Sequence, residues 1–263
     1  MDTNGKTVSE KRTFVFGDLH GMYDLTIQLM EQIGITRNDR VIFVGDLVDR
    51  GLDNDKCVEL AMKHECVLGN HEEKHLFYND IERKGRDPNV QVPTHIAARK
   101  QLKPIHYDYF RSLPLFIRLP EFNAAVVHAG VWPNVPLEAQ NQKHLLHAQM
   151  INPEGPDRGT KWPSKAPDGY KFWTHFWTGP ETIIFGHSVT NKPLVLPHAI
   201  GIDGGAVFGR KLWALELPSM QIHELEAKKD YGKGVRGRPS EEEVLRGHKI
   251  QLYPIHGDVS SFS

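Results

Sequence analysis

The sequence is poor in cysteine and carries almost no net charge. It has 263 residues, of which only Cys57 and Cys66 are cysteines, and its formal net charge is -1. Two thiols without a CxxC motif cannot build a disulfide framework, so we expect both to be reduced and buried. A near-zero net charge gives no overall attraction to nucleic acid or to an anionic membrane. No specific nucleic-acid binding is therefore predicted.

Long hydrophobic stretches are also missing. No run approaches the length of about 18 apolar residues that a transmembrane helix needs. The polar N-terminus, MDTNGKTVSEKRT, lacks the apolar region of a secretory signal. We therefore expect a cytoplasmic protein without membrane partners. A content of 39% hydrophobic and 25% charged residues is ordinary for a globular protein.

Short apolar runs recur along the chain and are typical of buried strands. They cover residues 14–16, 41–44, 66–68, 124–127, 183–185 and 212–215. Apolar residues from Met22 to Ile33 fall at helical spacing, with Gly34 as the expected C-cap. The segment LDNDKCVELAMKH predicts a second helix, with Asp53 or Asn54 as its N-cap. Strands that alternate with helices predict an α/β fold with an at least partly parallel sheet.

Two long connections interrupt this pattern. Residues 73–112 are rich in charged and aromatic residues, and we predict a helical cap over about 73–115. Residues 131–181 are rich in proline, glycine and tryptophan, and connections of that length inside a domain are usually functional. The expected organisation is a catalytic domain over residues 10–228 and a C-terminal tail over 229–263. A capping box of Ser240 with Glu243 predicts a short helix in that tail.

Side chains able to bind metal follow five of the predicted strands. They lie in the motifs GDLHG, GDLVDRG, GNHE, HAG and FGHS, in that order along the chain. In open α/β sheets the carboxyl ends of the strands form the ligand crevice, so we expect these side chains to meet there. A single Asp, Asn or His after a strand is more often a turn, a cap or a structural residue. Five in the same structural position make coincidence improbable.

Carboxylates and imidazoles together suit borderline divalent metals such as Mn, Fe, Co, Ni and Zn. Six such groups are too many for one ion that keeps open positions. They suit two ions about 3.5–4 Å apart that share a carboxylate and activate a water for phosphoryl transfer. The predicted ligands are Asp18 and His20 in one site, Asn70, His128 and His187 in the other, and Asp46 as the bridge.

The five motifs resemble those of the calcineurin-like metallophosphoesterases and, more narrowly, of the phosphoprotein phosphatase branch. That branch includes serine/threonine phosphatases, small bacterial and phage phosphatases, and dinucleoside tetraphosphatases. The resemblance covers residues 13 to about 217. It implies an α/β fold of two packed mixed sheets flanked by helices, with a two-metal centre on the loops at one end. Manganese is the predicted ion, with Fe, Zn, Ni or Co as alternatives.

The resemblance also implies roles for the residues beside the ligands. Arg50 resembles a phosphate clamp, because its planar guanidinium can donate two hydrogen bonds to phosphate oxygens. His71 looks like the general acid that protonates the leaving oxygen. Asp49 is similar to the partner that fixes the tautomer of such a histidine and raises its pKa. Glu72 is predicted to cap a helix or to support the ligand residues.

One position departs from the family pattern. Members usually carry a second arginine between the last two histidine ligands, within a run resembling DLLWIR. Here HLLHAQ places Gln149 at the arginine and His147 at the tryptophan. Arg158 is the predicted substitute for phosphate binding and Lys161 a weaker candidate, although either could be a solvated loop residue. The departure puts efficient phosphomonoester turnover in doubt.

Three functions follow from these patterns. The main prediction is hydrolysis of a phosphomonoester, with phosphoserine or phosphothreonine in a protein as substrate. The second is hydrolysis of dinucleoside tetraphosphates by a cap whose aromatic rings stack on bases and whose cations hold phosphates. The residues that would do this, or would simply pack the cap, are Tyr78, Tyr107, Tyr109, Phe110, Arg83, Lys84 and Arg86. The third is a non-catalytic binding module, which the complete ligand set argues against.

Overall fold

The structure is a computed structural model that describes residues 12–155 and 159–232. The helix predicted at Ser240, the tail beyond residue 232 and Arg158 lie outside these residues. Within the described part, no helix combines the length and the apolar character that crossing a membrane requires.

The strands and helices alternate as the sequence predicts, with additional strands from residue 116 onward. The strands are β1 Thr13–Phe16, β2 Arg40–Phe43, β3 Glu65–Cys66, β4 Phe116–Leu119, β5 Ala124–Val127, β6 Met150–Ile151, β7 Lys171–Phe172, β8 Thr182–Phe185, β9 Leu194–Leu196, β10 Ala199–Gly201, β11 Lys211–Leu217 and β12 Gln221–Glu226. The helices are α1 Tyr23–Ile33, α2 Asn54–Ala61, α3 Asn70–Arg83, α4 Pro93–Arg99, α5 Pro104–Ser112 and α6 Gln142–His147.

Two mixed sheets of five strands form the centre of the molecule, which confirms the predicted fold class. The first has the order β12-β11-β1-β2-β3, with β1, β2 and β3 parallel and β11 antiparallel to β1. The second has the order β4-β5-β8-β10-β9, with β5, β8 and β10 parallel. A separate pair joins β6 to β7. Parallel neighbours place the loops after β1, β2 and β3 at one edge, and likewise those after β5 and β8.

The two sheets pack face to face through alternate residues of their strands. Val15 and Ile42 of the first sheet share a buried cluster with Val126, Ile184 and Ile200 of the second. Because side chains alternate along a strand, the neighbours of these residues point the other way. Burial on both faces explains why the central strands read as continuous apolar runs in the sequence.

Helices cover the outer face of the first sheet. Phe14 and Phe16 pack there with Leu29 of α1, Val58 of α2 and Phe110 of α5. The cap predicted over about 73–115 is helical, as expected. Its last helix, α5, belongs to the layer that covers the first sheet and packs into the hydrophobic core of that layer.

The ends of the first two helices follow local sequence signals to different degrees. Helix α1 ends at Gly34, which has the left-handed conformation of a C-cap (φ 71°), as predicted. Helix α2 begins at Asn54 after Asp53, but the Asp53 side chain makes no capping hydrogen bond. Cys57 and Cys66 are free and buried, in agreement with the sequence, and burial raises the pKa of both thiols.

The outer face of the second sheet is covered mainly by irregular structure. Trp132, Trp173 and Trp177 from the connection between β5 and β8 pack there against Ile183 and Phe185. Several strands were not predicted from the apolar runs. Strands β4, β9 and β12 lie at sheet edges, with partly exposed residues, and β6 and β7 have two residues each.

Candidate active site

The loops that follow strands of both sheets meet at one end of the molecule and bring the six predicted metal ligands together. GDLHG follows β1, GDLVDRG follows β2 and GNHE follows β3, whereas HAG follows β5 and GHS follows β8. The predicted ligands that meet are Asp18, His20, Asp46, Asn70, His128 and His187. We call these six residues the donor group.

Asp46 lies at the centre of the donor group. Its carboxylate oxygens are 3.5 Å from His20 Nε2 and 3.4 Å from His128 Nε2. Asp18 Oδ2 is 3.9 Å from His20 Nε2. Asp18 also accepts the backbone N–H of His187 at 3.0 Å, which connects the first sheet to the second. The ligand atoms of Asp46, His128 and His187 all lie within 4.8 Å of one another.

Two histidine rings are oriented so that one nitrogen faces the centre of the donor group. His20 Nδ1 donates to Val48 O at 2.7 Å, and His128 Nδ1 donates to Val44 O at 2.8 Å. Because a carbonyl oxygen only accepts, each Nδ1 must carry the proton. In a neutral ring, Nε2 then has a lone pair directed inward. Histidines that bind metals are oriented by hydrogen bonds of this kind.

The contact between Asn70 and His128 fits two ligands of one cation. Asn70 Oδ1 lies 2.8 Å from His128 Nε2. Burial lowers the pKa of His128, so the neutral ring with its proton on Nδ1 is favoured. Two lone pairs then face each other without a proton between them. A divalent ion that accepts both lone pairs would account for this arrangement.

The electrostatics of the donor group favour bound cations. Burial lowers the pKa of His20 and of His187 well below the usual value, which keeps the imidazoles neutral. Burial, followed by the carboxylates of Asp203 and Asp46, raises the pKa of Asp18 well above its usual value. Buried carboxylates this close to one another are normally paired or bound to metal. The residues present therefore fit divalent ions.

Several residues of these loops have left-handed backbone conformations, which side chains other than glycine seldom adopt. The φ angle is 46° at His20, 50° at Asp46, 75° at Asp49, 69° at Arg50 and 63° at His187. Each such residue costs on the order of 1–3 kcal/mol and persists only where the surroundings fix it. The loops must therefore be held by strong local contacts.

Glu72 provides many of those contacts for the loop after β2. Its Oε1 accepts the backbone N–H groups of Leu47 and Val48 at 2.9 and 3.2 Å, and its Oε2 accepts those of Asp46 and Gly69 at 2.9 and 3.2 Å. Gly69 precedes α3, so this carboxyl group both caps a helix and supports a predicted ligand. Burial and the Asp46 carboxylate raise the pKa of Glu72 to about 8.

Asp49 is fully buried and lies within reach of three histidines. His71 Nδ1 donates to its carboxylate at 2.5 Å and His75 Nε2 at 2.8 Å, and His95 Nε2 lies 3.3 Å away. His71 Nε2 then faces the donor group, 3.8 Å from Asp46 Oδ2. Burial alone would raise the pKa of Asp49, but the hydrogen bonds from His71 and His75 hold it below its usual value.

The sequence predicts the pair of Asp49 and His71 but not the contacts of Asp49 with the other two histidines. His75 lies one turn further along α3, a spacing that a helical projection of GNHEEKH would reveal. His95 comes from α4 and accepts a hydrogen bond from Tyr78 Oη at 3.2 Å on its Nδ1. No local sequence pattern predicts the contact of His95 with Asp49, because that contact depends on how the cap packs.

Arg50 lies at the edge of the donor group, beside His20. Its Nη1 contacts His20 Nε2, and its Cζ lies 5.4 Å from the centre of the Phe208 ring. A guanidinium that rests on an aromatic ring is restrained in orientation. Phe208, which the sequence did not single out, therefore supports the predicted phosphate clamp.

The cap aromatics proposed to stack on bases are not available for that role. Tyr78, Tyr107 and Phe110 are 6%, 8% and 0% exposed, and Tyr109 packs against the core of the first sheet. The packing alternative is therefore correct for these rings. The cap also has an open groove of about 850 Å³ that is lined by Arg83 and other cap residues, but no residue of the donor group lines it.

A smaller cavity of about 470 Å³ opens directly beside the donor group. Its lining comes from α3, from α6, from the segment after β6 and from the loop after β8. The lining residues are Glu73, Lys143, His147, Gln149, Thr160, Lys161, Trp162 and His187. The lining therefore places two residues of the segment that departs from the family pattern, His147 and Gln149, next to the predicted ligand His187. Lys161, a candidate substitute for the missing arginine, lies there as well.

Comparisons with known proteins agree with this geometry. The family model described as calcineurin-like phosphoesterase matches residues 11–210. A bis(5'-nucleosyl)-tetraphosphatase (asymmetrical) from Oceanobacillus iheyensis is 24% identical, over 82% of this chain and 93% of the relative. The protein of the same name from Bacillus mycoides is 28% identical, over 79% of this chain and 91% of the relative.

Solved structures give the same picture. A crystal structure described as a candidate diadenosine tetraphosphatase is 27% identical, with a TM-score of 0.70 over 84% of this chain and 96% of the other. A serine/threonine phosphatase from Saccharomyces cerevisiae aligns with a TM-score of 0.54, over 84% of this chain and 81% of the other. At 15% identity, the second likeness supports the fold alone.

Proposed function

The chain belongs to the calcineurin-like phosphoesterase family and is a phosphoester hydrolase, and from that premise we propose that it cleaves dinucleoside tetraphosphates asymmetrically. The products would be a nucleoside monophosphate and a nucleoside triphosphate. The observation that carries the proposal is the cavity of about 470 Å³ that continues from the donor group. It provides room for a substrate that extends beyond the reacting phosphate, and the relatives that bear this activity in their names support the same substrate.

This proposal reverses the order of the two enzymatic hypotheses. A phosphoserine alkoxide is a strongly basic leaving group, and its departure needs help from a proton donor and from positive charge on the phosphate. The leaving group of a polyphosphate is itself a phosphate and is much less basic. Gln149 in place of a second arginine is therefore easier to reconcile with anhydride cleavage than with protein dephosphorylation.

We assign the six residues of the donor group as ligands of two divalent ions, with manganese as the proposed metal and Asp46 between the sites. When bound, the ions supply positive charge to the phosphate oxygens and activate the attacking water. Iron, zinc, nickel and cobalt remain alternatives, because the same ligand types accept them. We also propose the cytoplasm as the compartment in which the protein acts.

The residues beside the donor group complete the proposed reaction. Arg50 would hold the phosphate oxygens through its planar fork. As a bond forms between the water oxygen and phosphorus, the anhydride P–O bond breaks. Protonated His71 would give its Nε2 proton to the leaving oxygen. Asp49 orients that ring through Nδ1 and stabilises its positive charge, which suits His71 for the role of general acid.

A parallel rate assay tests the proposal. The protein is supplied with Mn²⁺ and given either diadenosine tetraphosphate or a phosphothreonine peptide, with His71→Asn as the blank. We expect a higher kcat/KM for the dinucleotide. A higher value for the peptide would overturn the proposed substrate and restore the protein phosphatase prediction.

A further inference from the structure

Gln149 is a buried amide whose polar atoms have no partner in the described structure. The residue is 2% exposed, and neither Oε1 nor Nε2 makes a hydrogen bond. Its backbone is fully engaged, since its N–H donates to Thr160 Oγ1 and its carbonyl accepts from Trp173 N. An unsatisfied buried side-chain amide costs on the order of a lost hydrogen bond or more. A partner supplied by a ligand would remove that cost.

Trp162 presents an exposed aromatic surface in the same cavity. The residue is 49% exposed, which is unusual for tryptophan, and its ring centre is 6.0 Å from that of His187. His147 also lines the cavity, with its ring centre 6.3 Å from that of His187. An indole next to a predicted metal ligand offers a stacking surface for a planar group attached to the reacting phosphate.

The charged residues that line the cavity are of both signs, since Glu73 shares the lining with Lys143 and Lys161. Glu73 contributes a carboxylate, which accepts hydrogen bonds from His147 Nε2 at 2.9 Å and from Gln142 Nε2 at 2.8 Å. The hydrogen bond from His147 holds the pKa of Glu73 below its usual value, so the group is anionic near neutral pH. The neutral Gln149 belongs to the same lining. The part of the lining formed by Glu73, His147, Gln149 and Trp162 therefore suits a neutral, planar and polar group better than an anion, whereas the two lysines suit the phosphates attached to that group.

We propose that the cavity formed by Glu73, His147, Gln149 and Trp162 binds a purine base of the substrate, with the base stacked on Trp162 and hydrogen-bonded to Gln149. A side-chain amide offers a donor and an acceptor side by side, which matches the amino group and a ring nitrogen of adenine. The volume of the cavity, about 470 Å³, lies within the range of small-molecule sites. This inference rests on the proposed function for the identity of the ligand.

The location also accounts for asymmetric cleavage. A base held beside His187 keeps its own nucleoside close to the donor group. The phosphates nearest the metals are then those near one end of the tetraphosphate, and its midpoint lies further away. Cleavage at such an end separates a monophosphate from a triphosphate.

The first test is a comparison of substrate selectivity. We would measure kcat/KM for diadenosine tetraphosphate and for p-nitrophenyl phosphate, which has no base, in Trp162→Ala and Gln149→Leu. The ratio of the two values should fall about tenfold in each variant, the size of effect expected when a stacking or base-reading group is lost. Phe77→Ala is the matched control, because Phe77 is 54% exposed on α3 and does not line the cavity. A ratio within twofold of wild type in both cavity variants would overturn the inference.

The second test measures binding in the cavity independently of the proposed reaction. Adenosine has no phosphate, so its binding can be followed by ligand-observed NMR without metal or turnover. We expect saturable binding that weakens about tenfold in Trp162→Ala and in Gln149→Leu and is unchanged in Phe77→Ala. Equal binding in all four proteins, or none in wild type, would overturn the cavity assignment even if the dinucleotide were cleaved. Adenosine binding that depends on Trp162, without dinucleotide cleavage, would support the cavity and refute the proposed function.

Discussion

Two regions of the molecule build the same site in opposite ways. The strand-end loops after β1, β2 and β3 hold their side chains through a dense set of hydrogen bonds, as in Glu72 with its four backbone N–H partners. The connection between β5 and β8 instead contributes a buried amide without a partner, Gln149, and an exposed indole, Trp162. In the first region hydrogen bonds within the protein hold the loops, whereas in the described part of the second region a polar group is left without a partner and an aromatic group is left exposed.

In the proposed function, the strand-end loops serve the chemical step and the long connection serves the choice of substrate. Residues that orient metals must be fixed before substrate arrives, and left-handed conformations at Asp46 and Asp49 persist only in such a fixed environment. Residues that recognise a substrate can instead keep polar groups without hydrogen-bond partners until the substrate binds. The hydrogen bonds that then form add to the affinity for that substrate. The comparison predicts that variants of the strand-end loops abolish turnover or stability, whereas variants of the long connection change which substrate is preferred.

The largest effect is expected from Asp46→Asn. This change removes the charge that both proposed ions share, so metal content should fall and kcat should drop by about 10³-fold or more, equivalent to several kcal/mol of lost transition-state stabilisation. Metal content is measured by inductively coupled plasma mass spectrometry. The control is Asp53→Asn, which changes the same charge at a surface ion pair with Lys56. Two retained equivalents of metal would refute the bridging role.

His71→Asn should have the next largest effect. We expect a loss of about 10²- to 10⁴-fold in kcat, the usual contribution of a general acid, with metal content unchanged. The loss should be greater for phenyl phosphate than for p-nitrophenyl phosphate, because the poorer leaving group needs the proton more. A histidine this close to His20 and Asp46 has an alternative role as a ligand. A fall in metal content would identify that role.

Glu72→Gln should destabilise the strand-end loops without removing a predicted ligand. Glutamine keeps one acceptor oxygen, so two of the four backbone N–H groups lose their partner, at a cost of about 1–3 kcal/mol for each one left unsatisfied. Denaturant unfolding of the metal-free protein measures the change. Glu73→Gln alters the neighbouring, partly exposed carboxylate and serves as the matched control. Equal midpoints for the two variants would show that Glu72 does not hold the loop.

The smallest effect is expected from Gln149→Arg, which acts on the long connection. A guanidinium at this position restores the arginine of the family pattern and adds a charge-assisted partner for phosphate. We expect kcat/KM for p-nitrophenyl phosphate to rise about threefold and that for diadenosine tetraphosphate to fall. Unfolding curves report whether the variant remains folded. An unchanged ratio of the two substrates would mean that Gln149 does not take part in selection.

The sequence predicts those parts of the site whose residues lie close together along the chain. Each strand-end motif joins an apolar run to its polar residues within a few positions, so the strands and the meeting of the six polar residues at their ends could be predicted together. Contacts such as that of His95 with Asp49, or of Phe208 with Arg50, join distant segments and leave no local signal. The aromatic residues of the cap show the same limit, because burial and exposure cannot be distinguished for a ring such as Tyr107 from composition alone.

One measurement tests the central claim most directly, namely chromatography of the products that the Mn²⁺-loaded protein forms from diadenosine tetraphosphate. The account predicts AMP and ATP in equal amounts, and neither product with Asp46→Asn. Formation of ADP alone would contradict the placement of one nucleoside beside His187. An intact dinucleotide, with phosphate released from the phosphothreonine peptide, would contradict the proposed substrate itself.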